Sequence, residues 1–204
     1  MPSETDVINL GLRRIGATSI VSLTDGSTSA NVAGDIYETL RDDLLASHPW
    51  NFATKRQELA QSVTEPAFEF DHAYALPSDW LRTVSVHDND AGHGTILYRM
   101  EEINGQKSIV TSSDEVWLRY VYQVTDANFM TADFRSALAF VIARDLSIPL
   151  ASSNTLHDQM EKMATRAIAK ARSTDAMGSF PELRPRGSWA ASRSGRRRND
   201  FMSD

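Results

Sequence analysis

The chain has 204 residues, 41% hydrophobic and 24% charged, with no cysteine. That suits one soluble globular domain with a real core and excludes disulfide frameworks, thiolate nucleophiles and cysteine-bound metals. Net charge is −6, but from Gly178 to Asp204 six arginines face three acids, while the residues before carry 15 basic and 24 acidic groups.

The opening MPSETDVINLGLRRIG does not read as a signal peptide, because acids precede its arginines and no long apolar run follows. It reads as a helix, with Ser3 as cap, Asp6 three residues on and Gly16 as stop. Val7, Ile8, Gly11, Leu12 and Ile15 share one face. After a polar link, SANVAGDIYETLRDDLLASH predicts a longer helix, apolar at Ala33, Ile36, Tyr37, Leu40, Leu44 and Leu45, and closed by Pro49. Its other face shows Asp35, Glu38, Asp42 and Asp43. Those acids read as a solvated surface, since paired catalytic carboxylates need one member in an apolar pocket.

From Trp50 the period changes. WNFATKRQEL, FEFDHAYAL, LRTVSVHD, TILYRM, KSIVTS and EVWLRYVYQV are short, rich in β-branched and aromatic residues, and separated by turn chemistry. ILYRMEEINGQKSIV predicts a hairpin, because Asn-Gly accepts the positive φ of a tight turn. Within this region HDNDAGHG, His87 to Gly94, offers imidazoles and carboxylates of the kind that bind zinc. Asn, Asp and Gly are also what loops are made of, and that reading is preferred. Trp117 reads as core.

Helical patterning returns at TADFRSALAFVIARDLSI, ending at Pro149, and again at SNTLHDQMEKMATRAIAKARSTDAMG, where Met160 and Met163 read as core filling. No helix reads as apolar all round, so each is expected to need partners on one side only. The expected fold is α+β. Residues 1–49 and 126–177 form a four-helix bundle of two N-terminal and two C-terminal helices. Residues 50–125 form a central β-rich antiparallel domain, and residues 178–204 an extended basic C-terminal arm. No stretch reaches the length of a membrane span. No nucleophile elbow, zinc-helix motif or phosphate loop is present, so the chain reads as non-enzymatic, with no cofactor and no metal site.

The arm carries Arg184, Arg186, Trp189, Arg193, Arg196, Arg197, Arg198 and Phe201, broken by Pro181, Pro185 and Gly187. Arginines neutralise phosphates and tryptophan stacks on bases. The same residue types dominate protein interfaces, and a third reading is a frayed end without function.

INLGLRRIGATSIVSLTDGS, YETLRDDLLASHPWNFATKRQELA, YALPSDWLRTVSV and VWLRYVYQVTD resemble the tail tubular protein A family, the head-to-tail adaptors of short-tailed bacteriophages. The likeness runs from about residue 5 to about residue 170. It is most specific from His48 to Arg56, and next from Leu76 to Arg82. The resemblance implies a structural virion protein at the head–tail junction, assembled in the bacterial host cytoplasm. Such proteins form a ring of itself-with-itself contacts, typically a dodecamer, that joins the portal protein to the tail nozzle protein. DNA passes through its channel without being specifically bound, and no membrane is involved. The family's C-terminal segment docks on the portal, which implies portal docking for the eight arm residues named above. Acidic helix faces suit a channel wall, since they repel passing phosphates. The alternative is a nucleic-acid-binding protein that uses its arginine-rich tail, and a third reading is a glycan-active or metal-dependent enzyme built on the β segment, whose activity would depend on His87 or His93.

Overall fold

The computed structural model describes residues 1–92 and 94–178. Among them the chain is α+β, with four α-helices and two three-stranded antiparallel sheets. Helix α1 spans Glu4–Arg14 and opens on a reciprocal cap, in which the Ser3 backbone N–H donates to Asp6 and the Asp6 N–H donates to Ser3 Oγ. This arrangement satisfies amide donors that have no partner inside the helix. Helix α2, Thr28–Ala46, is capped by Ser27, and a single 3-10 turn, Asn51–Ala53, follows Pro49 and Trp50.

Six strands come next: β1 Thr54–Glu58, β2 His72–Ala75, β3 Trp80–His87, β4 Arg99–Ile103, β5 Gln106–Thr111 and β6 Trp117–Tyr122. The first sheet has the order β1-β6-β3 and the second β2-β5-β4. β4 and β5 form the expected hairpin, in which Asn104 and Gly105 take φ of 51° and 79°. Those values match the turn whose twist suits paired strands. The strand expected from TILYRM begins only at Arg99. Upstream of it, Ile96 and Tyr98 pack into the apolar layer, and the Thr111 hydroxyl donates to the Leu97 carbonyl.

That layer lies between the sheets and is built from Leu59, Tyr74, Val86, Ile109, Val116, Leu118 and Tyr120. Val121 of β6, with Leu81 and Val84 of β3, belongs instead to the helical core. The first sheet therefore touches both layers. β6 supplies the alternation that allows it, with Leu118 and Tyr120 on one face and Val121 on the other.

Helix α3, Ala132–Ala151, is the centre of the helical layer and packs against α1, α2 and α4. Its buried residues, from Phe134 through Ala137, Leu138, Ala139, Val141, Ile142, Ala143 and Leu146 to Ser147, cover nearly its whole circumference. This corrects the expectation that every helix needs partners on one side only. The run ALAFVIA carries small and branched apolar residues at consecutive positions, so only a narrow half-buried side, with Ser136, Phe140 and Arg144, remains. Helix α3 also runs past Pro149, which had been expected to end it. Proline removes one amide donor, but that donor falls in the last turn. There the Ser152 N–H closes onto the Ile148 carbonyl at 3.0 Å, with Ser152 itself left-handed at φ 49°. Helix α4, Asn154–Met177, returns at once along α3.

Two further expectations change. Met163 is 43% exposed, so it does not fill core, whereas Met160 does pack against the helical core. Trp117 is only half-buried, because Leu118 and Tyr120 occupy the inward positions of β6. No described helix is long and apolar enough to cross a membrane.

Gly11 marks the closest approach of α1 to α3. A Cβ there would lie 3.0 Å from Ile142 Cγ2 and 3.1 Å from the Ala139 carbonyl oxygen. Gly11→Leu should destabilise the fold by about 1–3 kcal/mol through overpacking, despite leucine's better helix propensity. Chemical denaturation of the two proteins measures this. A Gly11→Leu protein as stable as the parent would show that the two helices can move apart freely.

Candidate functional site

The eight arm residues, Arg184, Arg186, Trp189, Arg193, Arg196, Arg197, Arg198 and Phe201, lie outside the described residues. The structure does describe the place from which that segment departs. Helix α4 ends at Met177, and its last turn is held by the loop after α2. The Asn51 backbone N–H donates to both carboxylate oxygens of Asp175 at 3.1 Å, and the Asn51 side-chain amide donates to the Asp175 carbonyl at 2.6 Å. His48 Nε2 lies 3.7 Å from the same carboxylate. One turn earlier, Arg172 donates to the carbonyl and hydroxyl of Ser47. This clasp joins residues 124 apart in sequence and fixes the end of α4 against the end of α2.

Why the loop takes this shape follows from its residues. Pro49 prevents α2 from continuing, and Trp50 then turns inward. Trp50 is fully buried, its indole N–H donates 3.0 Å to the Leu44 carbonyl, and its ring meets Phe134 of α3 edge-on at 5.1 Å. His48 stacks edge-on against its other side at 4.8 Å. The indole thus plugs the helical core and also satisfies a carbonyl that the end of a helix leaves open. Beside the clasp, Phe52, Ala171, Thr174 and Gly178 line an apolar cleft of about 260 Å³.

The same loop runs directly into β1, where it meets the second distinctive stretch, Leu76 to Arg82. Lys55 Nζ lies 2.6 Å from Asp79 and 3.8 Å from the centre of the Tyr122 ring. The Tyr120 hydroxyl donates to Asp79 at 3.1 Å, and burial, with that acceptor's charge, pushes its pKa up to about 12. Arg82 reaches back to the Ala46 carbonyl at the end of α2, at 3.2 Å. The stretches His48–Arg56 and Leu76–Arg82 therefore form one joint between the helices and the first sheet.

The other candidates are placed as follows. In the HDNDAGHG loop, His87 donates from Nδ1 to the Gly94 carbonyl, and its Nε2 lies 2.9 Å from Ser85 Oγ. Both nitrogens are used within the loop, and His93 lies outside the described residues. Among the described residues no three histidine or acidic side chains converge on a point. A cleft of about 220 Å³ lies beside this loop, lined by Arg56, Gln57, His87, Asn89, Trp117 and Arg119. Its lining contains no serine, threonine or cysteine, and Ser85, which meets His87 Nε2, is not part of it. On α2, Asp35, Glu38 and Asp43 are exposed, whereas Asp42 accepts from Arg41 at 2.8 Å and from Gln123 at 2.6 Å.

Sequence reasoning placed function in residues outside the described ones and did not foresee the Asn51–Asp175 clasp. Asn51 and Asp175 are ordinary polar residues, and their separation along the chain hides the pairing. The one available signal was His48-Pro49-Trp50, a helix stop followed at once by a large indole. The chain matches no protein-family model and no curated protein.

Two outcomes test the clasp. Trp50→Ala should destabilise the protein by about 3–5 kcal/mol, the usual cost of deleting a buried indole, and denaturant titration measures it. The second outcome concerns pH. Burial holds the His48 pKa below its ordinary value, against the pull of Asp175 and with the help of Arg172 and Arg82. The unfolded chain then binds the proton more readily than the fold, so stability rises with pH across the titration. The contribution is complete above the unfolded imidazole pKa of about 6.5 and is lost as pH falls below it. Melting temperature followed downward from neutral pH should show that loss. His48→Phe, which keeps a ring against Trp50, should flatten it.

Proposed function

We propose that this chain is a non-enzymatic structural protein of a bacteriophage virion, an adaptor that joins the portal to the tail nozzle as a ring around the DNA channel. In this reading the four helices act as one bundle against the portal side, and the two sheets extend from it. Residues 178–204 are the arm that docks on the portal through Arg184, Arg186, Trp189, Arg193, Arg196, Arg197, Arg198 and Phe201. Itself, the portal protein and the nozzle protein are its partners, and DNA passes without specific binding.

The observation that carries the reading is the joint. The two stretches most like the tail tubular protein A family meet there through Lys55 and Asp79, and through Arg82 and the Ala46 carbonyl. The same loop clasps the residue from which the arm departs, through Asn51 and Asp175. An adaptor needs that combination, because a docking arm transmits force only from a fixed root. Arginines and isolated aromatic residues on such an arm fit protein recognition, where a few anchors carry most of the binding energy. The acidic body, with 24 acids against 15 basic groups before Gly178, suits a protein beside passing DNA.

The test is binding to the portal ring of the same virion, with the intact chain and with a chain ending at Met177. The intact chain should form a defined ring on the portal, and the shortened chain should lose most of its affinity. Binding by both would keep the adaptor and remove the arm from docking. If neither binds, and the intact chain instead binds DNA with a steep salt dependence that the shortened chain lacks, the nucleic-acid reading replaces this one.

A further inference from the structure

The outer faces of α2 and α4 carry opposite charge. On α2 the core-facing positions are Ala33, Tyr37, Leu40 and Leu44. At about 3.6 residues per turn, Asp35, Glu38 and Asp42 fall on the opposite side, with Asp43 beside them. Asp42 is neutralised by Arg41, but Asp35, Glu38 and Asp43 are exposed and form no ion pair among the described residues. Like charges one turn apart repel, so this face costs free energy in the isolated chain.

On α4 the arrangement is reversed. Lys162, Arg166 and Lys170 recur every fourth residue and form a basic stripe away from the buried Ala164 and Ala171. Lys162 and Arg166 make no ion pair among the described residues, and Lys170 meets Asp133 at 2.9 Å while remaining largely exposed. Beside the stripe, α3 and α4 leave a groove of about 290 Å³ lined by Ser136, Phe140, Met163, Arg166, Ala167 and Lys170, with Asp133, the acid that Lys170 engages, at its edge. Its floor is apolar, and the exposed Met163 belongs to it. Arg14 closes the far side of Phe140, with its guanidinium 3.4 Å above the ring and two hydrogen bonds to Ser136. That packing adds a further cation next to the groove, partly desolvated and therefore lowered in pKa to about 10, still fully charged at neutral pH.

We propose that the groove between α3 and α4 takes the acidic outer face of α2 from a second copy of this chain. The pairing deepens the proposed ring and rests on that reading for its setting. Charge complementarity selects this occupant: the outer face of α2 presents Asp35, Glu38 and Asp43, the groove side of α4 presents Lys162, Arg166 and Lys170, and the apolar floor lies beside those cations. The two surfaces are different patches of one chain, and α2 and α4 each lie against α3. A contact between unlike patches is head-to-tail, the type that closes into rings of many copies, whereas a self-complementary patch stops at a dimer.

Because the chain has no cysteine, proximity can be read directly. Glu38→Cys and Arg166→Cys, both exposed positions, are made in two differently tagged copies of the full chain. They are mixed, alone and on the portal ring, and joined with a short bismaleimide. The expected product is the mixed 38–166 species in clear excess over either same-residue dimer, with a ladder of higher oligomers when one chain carries both substitutions. Lys170→Glu on the copy with Arg166→Cys should lower the mixed yield roughly tenfold by setting like charge against like, and Asp35→Lys on the other copy should restore it. A mixed yield no greater than the same-residue yields overturns the pairing, and so does indifference to Lys170→Glu. A ring that forms on the portal without the mixed product overturns the pairing alone and leaves the α2 acids to the channel wall. The mixed product without portal binding supports the pairing and removes the adaptor reading.

Discussion

Helix α3 is buried around most of its circumference, and most of the architecture follows from enclosing it. A helix buried around its circumference cannot exist without neighbours on every side. Helix α1 covers it at Gly11, where the absence of a side chain lets the helices approach. Helix α4 lies along it after a two-residue reversal, and α2 brings Trp50 onto Phe134 at its start. Even the polar groups of α3 comply, since buried Ser147 donates back to the Ala143 carbonyl at 2.6 Å and leaves nothing unsatisfied. The covering helices need only one apolar side each, which frees their outer faces to carry charge.

The loop after α2 serves the same constraint and a second one. Trp50 completes the enclosure of α3, and the backbone on either side of it is then committed to a fixed path. Ser47, His48 and Asn51 hold the end of α4, while Lys55 and Arg82 hold the first sheet. Individually these polar contacts are partly exposed and contribute little. Their effect is geometric, because they converge on a backbone that the buried indole has already positioned. The helical layer, the sheet and the last turn of α4 therefore share one anchor.

The parts of this fold legible in the sequence are those with local causes. Ser3 with Asp6, Pro49 and Asn104-Gly105 act within a few residues, and each works in the structure as its chemistry dictates. The α2 stripe of Ala33, Tyr37, Leu40, Leu44 and Leu45 was equally plain. What stayed hidden depends on partners far along the chain. The pairing of β6 with both β1 and β3 made Trp117 an outer residue and Leu118 an inner one, and alternation alone cannot say which set faces in. Met163 sits at a helical spacing that reads as core, yet it lines an open groove beside Phe140 of α3. The burial of α3 was hidden for the opposite reason: a run of consecutive apolar residues has no period to detect. At the candidate site, His48-Pro49-Trp50 gave a visible signal, whereas Asn51 and Asp175 gave none.

Enclosing α3 also constrains how copies of the chain can meet. With α2 and α4 both held to α3, their outer faces keep a fixed relation, so a contact between the acidic face of one copy and the basic groove of the next repeats with a constant rotation. Constant rotation is what separates a closed ring from an irregular aggregate. In the proposed assembly the arm adds a different kind of binding. Each arm needs only modest affinity, because a ring already assembled presents all its arms together and each docked arm raises the effective concentration of the next. Modest contacts between copies have a further advantage in that setting: subunits remain exchangeable until the portal fixes them. In that assembly the separation of charge would have two consequences, an acidic body that repels passing DNA and a basic stripe confined to one groove. A uniformly mixed surface of the same net charge would provide neither, since it would leave no patch for the next copy to recognise.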